Sequence, residues 1–525
     1  MLIRPAADDF RIIGAALGRI LLVVAGASML PMIWALLGAE WHPLGTFVLM
    51  SGVFALVGSV LVRVSLQPSR SISVDQRHLD WSHGMVVVAV TWVVVPMIGS
   101  IPFWLSDHYG SPLDAYFDAM SGLSTTGLSL VQDLDHLASS LNFWRHLLHF
   151  LGGQGIIIAA LVLFAGRGIT SLFAGEGRDD RMLPSVQSTA KAIWAVSLVH
   201  LTIGVSALAI VAYAGLGFGP VRSVFHGLMI FFAAFDTGGF TPQSTSIGYY
   251  HSAAFEAVTA VLMVAGALSF GLHFRLWSRA ARRTRIEVPM QSGGRDRGDR
   301  WSILRSLEIR SILSTFGITM TLTLLGLAAL GVYTSVAGLS RQGFFQILSA
   351  HTGTGFTTIP SSELALWGGM AFGGMAIAMA LGGMASSTSG GVKAMRVGLV
   401  VRAIRDDVKG DLLPEGALVD DSYYQFGRHR LTSDVARSAM VVSLLFVALF
   451  LIGAGIGLVY GVPLQQALFE SVSAGASVGL STGVTSPTMP GLLKLTYIVE
   501  MLLGRLEFIA VFVLIGFIYS WVRGR

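Results

Sequence analysis

Four stretches of the chain set glycine among serine and threonine in one register. With Gly127, Gly239, Gly355 and Gly479 as the common point, the residues ten earlier are Phe117, Met229, Phe345 and Phe469, all large and apolar. Six earlier stand Ser121, Ala233, Ser349 and Ser473; five earlier, Gly122, Ala234, Ala350 and Ala474. One later come Leu128, Phe240, Phe356 and Leu480, and two later Ser129, Thr241, Thr357 and Ser481. No charged residue falls between Phe345 and Pro360. Uncharged loops of this kind can hold a cation. Glycine permits backbone angles that aim successive carbonyls inward, and rings of carbonyls replacing the hydration shell are a route to potassium selectivity. Hydroxyls beside the glycines, from Thr125, Thr126, Thr237 and Ser477, can brace the loops or add oxygens. Turns used only for helix packing would also be rich in small residues, but packing does not require a shared register.

Such loops need elements that carry them to a common centre. At 53% hydrophobic and 12% charged, the 525-residue chain is not an ordinary soluble protein. Apolar runs of about 20 residues, long enough to cross a bilayer, recur along it. The register points lie about 120 residues apart, too far for a solenoid repeat. Each unit reads as a long apolar span, a short apolar helix, the glycine loop and a second span. The spans fall near 84–105 and 142–165, 190–215 and 253–275, 309–334 and 365–400, and 435–460 and 493–522. An N-terminal pair precedes them at 12–38 and 45–65 and reads as retained helices, not a cleaved signal. The expected fold is an all-α polytopic membrane protein, with four pseudo-symmetric repeats around a central pore. Its segments are 1–78 for the two-span extension, then 79–185, 186–300, 301–425 and 426–525 for the repeats. Backbone that is neither helix nor closed barrel survives at membrane depth only when buried in protein or lining water. The short helices would turn their C-terminal ends, favourable to a cation, toward the pore.

Charge placement sets the orientation. The link 275–310 carries ten arginines: 275, 279, 282, 283, 285, 295, 297, 300, 305 and 310. The links 63–77, 166–191 and 396–437 are also basic, whereas the loop segments hold little beyond Arg222 and Arg341. Basic links face the cytoplasm, so both termini are expected there and all four loops enter from outside. The net charge of +5 is explained by this bias and calls for no nucleic acid. There are no cysteines, which excludes disulfides and thiolate metal sites.

At this point the residues resemble a known family, the TrkH/KtrB potassium uptake subunits of the Trk and Ktr systems, itself related to simple potassium channels. The likeness is carried by Ser124-Thr125-Thr126-Gly127, Gly239-Phe240-Thr241 with Ser246-Ile247-Gly248-Tyr249, and Thr354-Gly355-Phe356-Thr357-Thr358. Trp144-Arg145, Leu151-Gly152-Gly153-Gln154-Gly155, Gly390-Gly391-Val392-Lys393 and Gly504-Arg505-Leu506-Glu507 extend it over roughly 80–525. The extra N-terminal pair fits the TrkH-like branch, while the fourth loop, Ser477 to Gly483, is closer to the KtrB-like one. The resemblance implies potassium uptake across the bacterial inner membrane. It implies that Thr125-Thr126, Thr237-Gly238, Gly353-Thr354 and Ser477-Val478 hold the ion beside the register glycines. It also implies a homodimer set in membrane lipid, controlled by a separate cytoplasmic NAD- or ATP-binding subunit of the TrkA/KtrA kind. No nucleotide-binding segment or organic cofactor is expected in this chain.

Two features read as gates. Gly382-Gly383 to Gly390-Gly391 puts small polar residues inside the second span of the third unit, which breaks the helix beside a cavity. Its ending at Lys393 lacks the Gly-Lys-Ser/Thr of a phosphate loop. By resemblance it obstructs the pore below the filter and moves on opening. Arg505 falls near mid-membrane, where a charge costs at least about 2.5–3.5 kcal/mol unless it faces water or a partner. By resemblance it is an electrostatic barrier in the pore; the alternative is an ion pair with Glu470 or Asp118. Asp236 either bonds loop amides behind the filter or attracts cations at the outer mouth. Asp118 and Glu470 share one place in their half-helices; they either bond loop backbone or raise local cation concentration, and the structural role is favoured. The histidines His149, His200, His226, His273 and His351 show no metal-ligand spacing and read as packing or interfacial residues.

Within transport, the alternative is a symporter coupling potassium to sodium or protons. Broken-helix symporters usually show two inverted repeats, unlike four units of one orientation. An enzyme is not expected, because no convergent His/Asp/Glu set, nucleophile motif or metal cluster is present.

Overall fold

In the computed structural model, the order of elements repeats four times. The structure describes residues 5–65, 81–155, 186–277, 302–331, 333, 335–414, 422–425 and 427–524. Each unit has a leading helix, a short helix ending at the glycine loop, and a returning helix. The leading helices are Trp81–Gly99, Val186–Ile210, Leu307–Leu330 and Ser433–Val459. The short helices are Pro112–Leu123, Pro220–Phe235, Val336–Thr352 and Leu464–Gly475.

The short helices start where the sequence supplies start signals. Ser111 and Ser335 cap two of them through their hydroxyls, and proline at the first turn opens the helices at Pro112 and Pro220. All four end within four residues of a register glycine.

The returning helices depart from the expected unbroken spans. The first, Ser139–Gln154, stops at Gly155, which has φ +74°; the remainder of the expected span, 156–165, lies outside the described residues. The second is split into Ala253–Ala267 and Phe270–Trp277, and the fourth into Gly491–Arg505 and Ile509–Arg523 at 108° to each other. Only the third break, between Gly369–Ala380 and Ala394–Leu412, is where the glycine run predicts it. Six described helices are long and apolar enough to cross a membrane unbroken, or seven if the bent pair is one span; the other expected spans are broken or lie partly outside the described residues. The ten-arginine link falls largely outside the described residues. A two-stranded hairpin, Ser422–Tyr424 with Arg428–Arg430, is an addition to the all-α expectation.

The interior is polar for a membrane protein. Thr125, Thr126, Thr237, Thr354 and Ser477 are fully buried, while Leu56, Leu444, Leu451 and Ile452 face outward. This arrangement suits a lipid surface around a core of loops.

The N-terminal pair, Ala7–Ala27 and Trp41–Ser65, crosses at Gly18 and Gly58. A side chain at either glycine would lie 2.7–2.8 Å from the carbonyl oxygen of the other, the close approach that small residues permit in membrane helices. The pair is fastened to the first unit by Glu40. Its carboxylate accepts from Ser139 N (2.9 Å), Ser139 Oγ (2.7 Å) and Ser140 N (3.0 Å) at the positive end of the first returning helix.

Candidate functional site

The four loops close a ring. A side chain at Gly127 would lie 2.2 Å from the carbonyl oxygen of Gly238, and one at Gly239 2.2 Å from that of Thr354. One at Gly355 would lie 1.8 Å from the Val478 oxygen, and one at Gly479 2.1 Å from the Thr126 oxygen, which returns to the first loop. All four glycines also have positive φ: +91°, +74°, +87° and +92°. Two residues earlier, Thr125, Thr237, Gly353 and Ser477 are left-handed as well, at +55°, +49°, +74° and +53°. The residue between, Thr126, Gly238, Thr354 or Val478, is not. This alternation of hand turns successive carbonyls to one side, and for Thr125, Thr237 and Ser477 it holds a non-glycine residue where it costs energy. The sequence-predicted residues of all four loops are thus brought together, with the same backbone in each.

A second register fixes where each loop returns. Nine residues before the glycine stand Asp118, Gln346 and Glu470 in the first, third and fourth units. Each accepts the amide three residues after its glycine: Leu130 N at 2.6 Å, Thr358 N at 3.3 Å and Thr482 N at 2.7 Å. Each also engages the hydroxyl two residues after it, on Ser129, Thr357 and Ser481. In the second unit that register holds Ile230, and the residue three after the glycine is Pro242, which has no amide to satisfy. Asp118 and Glu470 accordingly hold loop backbone, and Gln346 is a third member that charge alone did not reveal. Asp118 carries a further partner, the buried Arg145, whose Nε lies 3.2 Å away.

Three glycines on returning helices let those helices meet the short ones. A side chain at Gly152, Gly266 or Gly504 would lie 1.8, 2.1 or 1.8 Å from the carbonyl of Leu123, Phe235 or Gly475. Those carbonyls are four residues before the register glycines.

The break in the third returning helix forms a floor under the ring. Its neck is closed by Gly382 N to Val392 O (2.9 Å) and Val392 N to Ala380 O (3.0 Å). Met384 N donates to Ala267 O and Thr388 N to Gly266 O, so the loop occupies the backbone left open by the break in the second returning helix. Residues 388–390 then reach three of the glycine loops at their ends nearest the short helices. Thr388 Oγ1 meets Thr237 Oγ1 at 3.3 Å, Ser389 Oγ abuts Gly353, and Gly390 abuts Ala476 and Ser477. The Nζ of Lys393 donates to the Ser389 carbonyl.

Arg505 covers the fourth of these ends. It sits at the bend of the last returning helix and donates to Thr125 Oγ1 at 3.0 Å, Thr388 O at 2.7 Å and Gly152 O at 2.6 Å. The ion pair with Glu470 or Asp118 is excluded by geometry, because those carboxylates are turned to the loops. A cavity of about 20 Å³, large enough for a water, remains among Gly152, Ser389, Gly390, Lys393 and Arg505.

In the sequence, Asp236 is open between two positions. It ends the second short helix, at the inner end of its loop, and so does not stand at the outer mouth. Its Oδ1 accepts from Gln154 Nε2 at 2.9 Å, and Gln154 Oε1 accepts from Ser197 Oγ at 2.6 Å. The histidines group no metal site among the described residues.

Comparison with known proteins places the chain in a family. A family model described as TrkH, cation transport protein, matches residues 54–518. An uncharacterised cation transporter of Methanocaldococcus jannaschii is 26% identical over 507 residues, 96% of this chain and 94% of the relative. The Trk system potassium uptake protein TrkH of Escherichia coli K12 is 26% identical over 521 residues, covering 96% of this chain and 98% of its own. The crystal structure of the potassium transporter TrkH from Vibrio parahaemolyticus superposes with a TM-score of 0.74 at 24% identity, covering 96% of this chain and 98% of that one. With a family match over most of its length and the fold to accompany it, this chain belongs to the TrkH family of cation transport proteins.

Proposed function

We propose that the protein carries potassium into the cell through a filter built from the four loops. Its oxygens come from Thr125, Thr126 and Gly127, Thr237, Gly238 and Gly239, Gly353, Thr354 and Gly355, and Ser477, Val478 and Gly479. The observation that carries this reading is the closed ring: each register glycine touches the next loop's carbonyl, in the alternating backbone that lines up oxygens to replace a hydration shell. Relatives of matching length are named as potassium uptake proteins.

The gate is the loop from Gly382 and Gly383 to Gly390, Gly391 and Lys393, together with Arg505. The conformation described is a closed one, since residues 388–390 and Arg505 lie against the inner ends of all four loops. The protein sits in the bacterial cytoplasmic membrane with both termini inside, as a homodimer, and a cytoplasmic nucleotide-binding subunit moves the gate. The domain limits at 78, 185, 300 and 425 belong to the same reading.

The test is cation flux into proteoliposomes, comparing potassium, rubidium, sodium and lithium, beside Gly355→Ala. Potassium and rubidium should move down their own gradients and the variant should lose that preference. Flux seen only with an added proton or sodium gradient would replace this reading with the symporter.

A further inference from the structure

His149 lies on the first returning helix, fully buried, and neither ring nitrogen has a hydrogen-bond partner among the described residues. Its ring stacks on Phe240 with centroids 4.3 Å apart. It also stands where the side chain of Gly238 would be. A Cβ there would lie 2.2 Å from Nδ1 and 2.5 Å from both Cε1 and Cγ, and these are its three nearest neighbours. Gly238 differs from the register glycines, because its φ is not in the left-handed region. Backbone geometry does not demand glycine at this position; the imidazole excludes anything larger.

The other loops carry a side chain in the same register: Thr126, Thr354 and Val478. The helix behind differs in step. Three residues before Gly152, Gly266 and Gly504 stand His149, Met263 and Met501. In the second loop, bulk has moved from the filter residue to the helix behind it. Methionine is a flexible filler, whereas imidazole is a flat plate. This plate is locked against Phe240, whose ring is also covered by the Arg145 guanidinium 4.1 Å from its centroid. A buried ring with both nitrogens unanswered is a costly way to fill space, so its rigidity is the property that distinguishes it from methionine.

We propose that His149 is the positioning residue of the second filter loop: its ring acts as the rear wall that holds the Gly238 carbonyl against Gly127. The inference rests on the filter reading and assigns one loop's geometry to one residue outside it.

The experiment is a reciprocal exchange in the full-length protein, read as the potassium-to-sodium flux ratio in proteoliposomes, with thermal unfolding in detergent measured alongside. His149→Ala should lower the ratio by about tenfold, as expected when one of four carbonyl sets can shift by a fraction of an ångström. Gly238→Ala alone should lower both the ratio and the unfolding temperature. The double variant Gly238→Thr with His149→Met, which copies residue types from the other repeats, should recover most of the ratio. A merely space-filling His149 would change the unfolding temperature without changing selectivity. An unchanged ratio in His149→Ala, an innocuous Gly238→Ala, or a double variant no better than the worse single one would overturn the proposal. A wild-type protein with no preference for potassium would instead overturn the filter reading itself.

Discussion

Arg505 donates to the hydroxyl of Thr125 across 380 residues of sequence, at 3.0 Å, from the bend of the last returning helix to the first residue of the first loop. The same guanidinium nitrogen holds the carbonyl of Thr388 at 2.7 Å. One side chain thereby ties the first glycine loop, the floor loop and the bend together. Charge-assisted bonds of this kind contribute about 1.5–3 kcal/mol each. On the proposed function, Arg505→Ala should raise basal rubidium flux by about tenfold or more. Arg505→Lys should have a smaller effect, since an ammonium lacks the planar fork that spans three acceptors. Basal flux and rectification equal to wild type in Arg505→Ala would remove the residue from the gate.

Glu308 connects the floor loop to the two-stranded hairpin. Its carboxylate accepts from the amide of Ala385 in the floor, and Gln425 Nε2, beside the hairpin strands, donates to it at 2.8 Å. Gln425 Oε1 in turn accepts from Ser306 Oγ at 2.6 Å. Gln425→Ala should loosen this tether, raising basal flux several-fold while leaving the ratio of potassium to sodium unchanged. A change in selectivity without a change in basal flux would contradict the tether. The measurement is the same proteoliposome assay run with the two cations separately.

Asp118 and Glu470 hold equivalent loops with different surroundings, so their amide variants should differ. Glu470→Gln weakens bonds to Ser481, Thr482 and Thr485, an expected loss of about 1.5–3 kcal/mol. Asp118→Asn also leaves the buried Arg145 without its carboxylate, and breaking a buried pair costs about 3–5 kcal/mol. Thermal unfolding in detergent should therefore rank Asp118→Asn below Glu470→Gln, with Gln346→Ala the mildest of the three.

Gly152→Ala, Gly266→Ala and Gly504→Ala should each prevent normal assembly, because the added carbon meets a backbone oxygen within about 2 Å and backbone cannot step aside as a side chain can. Gly516→Ala, with nothing within 4 Å, is the matched control and should be neutral or slightly stabilising. Size-exclusion profiles of the four purified variants test this directly.

The ring was legible in the sequence because left-handed backbone and close approach both select glycine, and that choice recurs at Gly127, Gly239, Gly355 and Gly479. The floor loop was legible for a related reason: Gly382-Gly383 and Gly390-Gly391 announce a break inside an apolar run. The breaks at Leu268 and near Glu507 were not legible. Neither has a proline or a glycine run, and the first is sustained by Met384 and Thr388, more than a hundred residues away, which take up the freed carbonyls of Ala267 and Gly266. Gln346 escaped because it is uncharged, although it shares the register of Asp118 and Glu470. The two readings of Asp236 could not be separated in the sequence, because sequence order does not show which way a helix-terminal side chain turns. It turned back to Gln154, a partner 82 residues earlier.

The ring's four quarters are written into one covalent chain and are not all alike: Thr126, Gly238, Thr354 and Val478 occupy equivalent corners. In an assembly of identical subunits a single codon change would alter every corner at once. Here each corner can change alone, so inheritance can alter the ring one quarter at a time.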